Sequence, residues 1–220
     1  MKHLTLILFL GLTSITFSQN KYCEYETETS SLGIGLLLMP QKYSLFKDSS
    51  LSKIISNEDM YALDDESPLI CAKFSKADYE IMHFICLENS ESYFKILYNN
   101  NQTAFVPKDE KYTFKSWKNY IRESYGVRRQ NDFEKSNPLK TNPNTNAVDI
   151  IIPDEPELLC VFDLKGDWIK VQYDCFYNSP AAEHEGEPCH TYIKECGSKK
   201  QGWVRWRRGN KLLIDIFLMP

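Results

Sequence analysis

Four groups of residues have types that chemistry uses. The first is Cys175 with His190, a thiol and an imidazole of the kind a thiol hydrolase needs. Such a thiol reacts as the thiolate, so it requires a depressed pKa and a base within reach. The run around Asp174-Cys175-Phe176 has the pattern of a strand, and nothing nearby supplies a helix to hold a nucleophile. A structural disulfide is the plainer role for Cys175. The second group is His184, Cys189 and His190 with Glu183, Glu185 and Glu187. These ligand types suit zinc or copper. Their spacing has no CxxC paired with HxxxH, and a solvated acidic loop accounts for the same residues, so no metal is assigned. The third group is the carboxylates Asp154, Glu155, Asp163 and Asp167. Acid/base work on a glycoside needs two carboxyls facing across a cleft. These four fall in turns, where solvation is the expected role. No catalytic set is assigned, and no cofactor is expected.

The fourth group is aromatic. Trp203-Val204-Arg205-Trp206-Arg207-Arg208 mixes indoles with bases. Stacking surfaces among cations bind single-stranded nucleic acid, but such proteins carry a basic face. This chain has a formal charge of −4, so a nucleic-acid partner is not expected. The run reads better as a strand with Val204 in the core and Arg205 in solvent. Trp168, Tyr173, Trp203 and Trp206 are then the candidate ligand-binding residues. They form either the edge of a core or an aromatic groove of the kind that holds extended peptides.

These side chains need elements to hold them. Residues 1–18 read as a secretory signal peptide: Lys2 and His3, an apolar run Leu4–Leu12, then Thr16 and Ser18 before a cut at Gln19. The apolar run is shorter than the roughly 20 residues of a spanning helix. No lipobox precedes Cys23, and no second long apolar segment follows, so no membrane span is expected. The destination is the periplasm or the medium. With 42% hydrophobic residues the rest can pack a core, and its many short β-rich runs suggest an all-β class. Seven cysteines meet an oxidising compartment, and the odd count leaves one unpaired or bonded to another molecule. Disulfide candidates are Cys175, Cys189 and Cys196, with Cys71 and Cys86 as a pair across a hairpin.

Two stretches of the chain repeat one order. Leu45–Ser49, Phe84–Leu87, Ser92–Tyr98 and Ala104–Pro107 are matched by Pro138–Asn144, Leu158–Val161, Asp167–Tyr173 and Gly202–Arg205. In this alignment Cys86 and Cys160 are equivalent, each a small core residue flanked by aliphatics. Between the stretches, Phe114, Trp117, Ile121 and Tyr125 fall on one helical stripe, with Gly126 at the helix end.

The words Gly166-Asp167-Trp168-Ile169-Lys170-Val171 and Gly202-Trp203-Val204 resemble the bacterial SH3-like (SH3b) domain, a small β-barrel of envelope and secreted proteins. The first stretch departs from the pattern, with Tyr93 in place of Trp and Ala104 in place of Gly. The resemblance implies two SH3-like β-barrels joined by a short helix. Residues 19–33 are then an N-terminal arm, either an edge strand or loose. Residues 34–111 are a diverged barrel, 112–132 a connecting helix and linker, and 133–220 a second barrel with a Cys-containing insertion at 174–200. The function it implies is a non-enzymatic binding module. Its partner is an envelope protein, a peptide or peptidoglycan, held by surface aromatics of the second barrel. Two alternatives remain open: a cell-wall thiol peptidase using Cys175, and a structural subunit that meets its partner through the odd cysteine or the helix stripe.

Overall fold

The computed structural model describes residues 22–24, 28–61, 70–130, 136–152, 158–173, 181–184, 186–197 and 200–218. The signal peptide, Cys175, Glu185, Asp154 and Glu155 lie outside them. The first half contributes strands β1 (Tyr22–Glu24), β2 (Gly35–Leu38), β3 (Lys42–Phe46), β4 (Ile54–Asp59), β5 (Ile70–Ala72), β6 (Phe74–Lys76), β7 (Ile81–Asn89), β8 (Tyr93–Tyr98), β9 (Gln102–Pro107) and β10 (Thr113–Ser116). A single turn-and-a-half helix follows, α1 (Trp117–Arg122). The second half contributes β11 (Gly126–Arg129), β12 (Leu159–Lys165), β13 (Trp168–Tyr173), β14 (Gln201–Arg205), β15 (Arg207–Arg208), β16 (Lys211–Leu212) and β17 (Ile214–Phe217). The protein is all-β, as its composition suggests.

The first sheet runs β10-β2-β7-β8-β9-β3-β4, with β6 added on β7. The second runs β14-β13-β12-β11-β17, and bridges from Lys140 to Trp203 and Asp149 carry it past β14. Among the described residues neither path returns to pair its two ends, so closed barrels are not seen. Turn chemistry sets the hairpins. Asn99 and Asn100 both take positive φ between β8 and β9, which asparagine tolerates better than most residues. Gly166 does the same in the two-residue link from β12 to β13.

Alternation along β2, β7 and β8 serves two cores at once. Leu37, Phe84, Cys86, Phe94 and Ile96 point into a cluster enclosed by the first sheet. Their neighbours Leu36, Ile85 and Leu97 point the other way, into a cluster with Val127, Leu159, Val171, Val204 and Trp206 of the second sheet. Strands buried on both faces need near-continuous apolar sequence, which is what Ile81–Leu87 is, His83 excepted. Gly33 makes room for this packing: its φ is +54, and a Cβ there would lie 2.2 Å from the Cys86 carbonyl oxygen.

The expected helix over Phe114–Tyr125 is shorter than its stripe. Thr113–Ser116 pair with Leu38–Gly35 instead, so the sheet takes their backbone hydrogen bonds and the helix begins only at Trp117. Ser116 caps it, its side chain accepting from the Asn119 N–H. Gly126 opens β11 rather than ending the helix. The expected linker is largely sheet as well: β11 sits between β12 and β17, with Val127 fully buried. Of the arm, β1 pairs in parallel with β5, and Leu32 is core.

Cysteine pairing differs from the expected Cys71–Cys86 bridge. Cys71 is bonded to Cys23, which ties the arm to β5. Cys86 is free and buried in the first core. Cys160 is no core thiol either, but is bonded to Cys189 of the insertion. It lies on the opposite sheet face from Val161 and meets Cys189, Tyr192 and Cys196 in a small cluster of its own. Cys196 is also disulfide-bonded. The insertion thus packs on the outer face of β12–β14, where the Gln172 amide also donates to the Ile193 carbonyl at 3.2 Å.

Candidate binding cleft between the two sheets

The four expected aromatics do not share a surface. Strand period two sends Tyr173 and Trp206 into the core shared by both sheets. Trp206 is 2% exposed. Its Nε1 donates to the Gly166 carbonyl at 2.9 Å, and its ring centroid lies 5.2 Å from that of Trp117. Trp206 and Tyr173 are therefore structural, which corrects their assignment to a ligand groove. Trp168 and Trp203 lie on the outer face, opposite Arg205 and Lys170. Trp168 is buried there, with the Arg205 guanidinium 5.4 Å from its ring. Arg205 is accordingly half-buried against an indole rather than in open solvent. Trp203 is the half-exposed member, flanked by Lys170 and by Lys140, whose ammonium pairs with Asp149 at 2.5 Å.

The other candidate groups dissolve into local contacts. Cys189 is held in its disulfide and offers no thiolate. His184 lies between Glu195, at 3.1 Å, and Glu187, at 3.2 Å, and these carboxylates hold its pKa above the usual imidazole value. His190 is pushed the other way by burial and by Arg122. Among the described residues no three metal-ligating side chains converge. Asp163 pairs with Lys118 at 3.1 Å and Asp167 with Arg207 at 2.7 Å, so these carboxylates are ion-pair partners.

A cleft of about 590 Å³ opens elsewhere, between the β6 edge of the first sheet and the β17 end of the second. One wall carries Lys73, Phe74, Lys76 and Ile81. The facing wall is Leu212 with the consecutive run Ile214–Leu218, and Arg128 and Glu24 stand at its borders. Lys73 follows β5 directly and is 4% exposed. Burial lowers its ammonium pKa to about 8, against the opposing pull of the Glu24 carboxylate. Arg128 pairs with Asp215 at 2.8 Å and lies over the Phe217 ring at 5.5 Å. Gln130 donates a further bond to Asp215 at 3.2 Å.

Phe74 is held from behind. Its ring stacks on Tyr120 of α1 at 5.5 Å, and the Tyr120 hydroxyl meets His83 Nδ1 at 2.8 Å. Burial lowers the His83 pKa to about 4, with Lys115 adding to the effect, so the imidazole is neutral at pH 7. Burial likewise raises the Tyr120 hydroxyl far above its ordinary value. This neutral aromatic chain fixes the cleft wall against the helix. The cleft therefore offers apolar surface, cations and a strand end in one preformed space.

Sequence reasoning missed this site because its walls come from opposite ends of the chain. Lys73 sits in an apolar strand run, Leu69–Phe74, which hints at a buried lysine only in retrospect of the fold. The C-terminal run Leu212–Leu218, with one Asp, was the available signal. Comparison with protein-family models, with curated proteins and with solved structures gave no match.

Proposed function

We propose that this chain is an exported, non-enzymatic recognition module built from two SH3-like units, and that the cleft between them holds an envelope peptide or cell-wall component. The two-unit reading is supported by strand order. The first sheet follows β10-β2-β7-β8-β9-β3-β4; the second follows β17-β11-β12-β13-β14, then Lys140 and Asp149. Each has a register shift at the same place, opposite Lys95 in one and Lys170 in the other. Lys95 pairs with Phe105, and Lys170 with Trp203. In this register Cys86 answers to Val161 and Ile85 to Cys160, one residue off the match that sequence suggests. A one-residue slip exchanges faces, which accounts for one cysteine in the core and the other in a disulfide.

Export is supported by the leader-like N-terminus and by the disulfides Cys23–Cys71 and Cys160–Cys189. No helix among the described residues is long and apolar enough to cross a membrane. A non-enzymatic role is supported by the state of the thiols. Cys189 and Cys196 are oxidised, and burial pushes the Cys86 thiol up to about 12. That burial also removes the odd thiol as a covalent link to a partner.

The observation that carries the binding reading is the preformed cleft, whose walls belong to different sheets locked by one shared core. The test is retention of the full mature chain on purified peptidoglycan and, separately, pull-down from envelope extract. Lys76→Glu, an exposed change, should abolish capture and leave the melting temperature unchanged. Trp203→Ala should leave capture intact. Capture that survives Lys76→Glu and is lost in Trp203→Ala would move the site to the outer aromatic face and overturn the cleft reading.

A further inference from the structure

The strand that closes the cleft has an open side. Among the described residues β17 pairs with β11 alone and ends its sheet. Five consecutive residues, Ile214 to Leu218, line the cleft. A strand turning one face to a cavity would contribute alternate residues only. Lining by every residue means that β17 presents its edge. The Phe217 carbonyl accepts from the Tyr125 N–H at 2.9 Å, on the β11 side. Alternation then turns the amide and carbonyl of Ile216 to the cleft.

The opposite wall is closed to the same kind of pairing. The Glu24 carboxylate accepts from the Ser75 N–H at 3.1 Å, capping the outer edge of β6. Native sheets block exposed edges with charged side chains in this way; among the described residues no side chain is bonded to the backbone of β17 on its cleft side. Charge is asymmetric as well. Glu24 is engaged by Ser75, and Asp215 by Arg128 and Gln130, while the exposed Lys76 ammonium makes no ion pair among the described residues. The wall facing β17 therefore presents an aromatic ring and an exposed cation, Phe74 and Lys76.

We propose that β17 takes up an extended peptide of alternating acidic and apolar residues as an added strand, its acidic side chains directed to Lys76 and its apolar ones to Phe74. Main-chain bonds to the Ile216 edge supply register, and the cation–aromatic wall supplies selection. This inference rests on the cleft being the binding site.

The test uses the full mature chain and three capped synthetic octapeptides. One alternates glutamate and valine, the second alternates lysine and valine, and the third is the first with N-methyl groups on alternate amides. The glutamate peptide should bind and slow hydrogen exchange at the Ile216 amide at least tenfold. The N-methylated and lysine peptides should each bind at least tenfold more weakly, and Lys76→Glu should reverse the preference between glutamate and lysine. Equal binding of the N-methylated peptide would overturn strand addition while leaving a side-chain cleft site standing. A preference for lysine would overturn the assigned ligand charge. Failure of all three to bind at millimolar concentration would overturn the proposal, and capture of peptidoglycan alongside that failure would show that the cleft serves another ligand.

Discussion

Replacing Trp206 by alanine should unfold both halves of the molecule together. The indole is 2% exposed in the core that joins the two sheets. Truncating a buried tryptophan costs about 3–5 kcal/mol through lost transfer energy and the cavity left behind. The upper part of that range applies, because two specific contacts go with it. One is the Nε1 bond to the Gly166 carbonyl at 2.9 Å, typically worth about 1 kcal/mol. The other is the ring contact with Trp117 at 5.2 Å, worth about 0.5–1.5 kcal/mol. Trp117 in turn donates to the Leu32 carbonyl at 2.6 Å, so the loss reaches the segment that leads into β2. With a urea dependence of about 2 kcal/mol per molar, the midpoint should fall by about 2 M. Near-UV circular dichroism and intrinsic fluorescence should report one coincident transition. A loss below about 1 kcal/mol, or two separated transitions in the parent chain, would refute the shared core.

Other perturbations test single contacts. His83 has a folded pKa of about 4, below its ordinary 6.5, so the folded state resists the proton that the unfolded state accepts. The stability this maintains is complete above pH 6.5 and is lost as pH falls to 4, by about 3 kcal/mol in all. His83→Gln should flatten that part of the stability–pH curve, and an unchanged slope would contradict the assignment. Removing the Cys160–Cys189 bond, which closes a separation of 29 residues, should lower stability by about 3–4 kcal/mol, read from the urea midpoint of Cys160→Ala/Cys189→Ala. A Cβ at Gly35 would lie 2.2 Å from the Lys115 carbonyl oxygen. Gly35→Ala should thus strip β10 from β2, cost about 3 kcal/mol and speed amide exchange at Thr113–Ser116.

Much of the strand content was written in local pattern. Trp168–Tyr173 alternates as a strand should, and Asn99-Asn100 and Gly166 mark their hairpins. Face assignment was harder. The same alternation that locates β13 places Trp168 outward and Tyr173 inward, but sequence gives no sign that the outer face would be covered by Arg205 and an insertion. Cys86 and Cys160 look alike because both have aliphatic neighbours, and a single-residue difference in register decides which faces the core. The stripe Phe114–Tyr125 fits a helix, yet Thr113–Ser116 had a strand partner about 80 positions away in β2, beyond any local signal. The cleft was the least readable feature. It joins Lys73 and Phe74 to Ile214–Leu218, and only the packing of the two sheets brings them together.

In the proposed binding mode, ligand enters the cleft and not the aromatic outer face. Hydrogen-exchange mapping of the full mature chain, with and without its retained envelope ligand, tests it most directly. Exchange should slow at residues 73–81 and 212–218, with residues 168–170 and 203–205 unchanged. Protection confined to the Trp168 and Trp203 segments, with 212–218 unaffected, would contradict it.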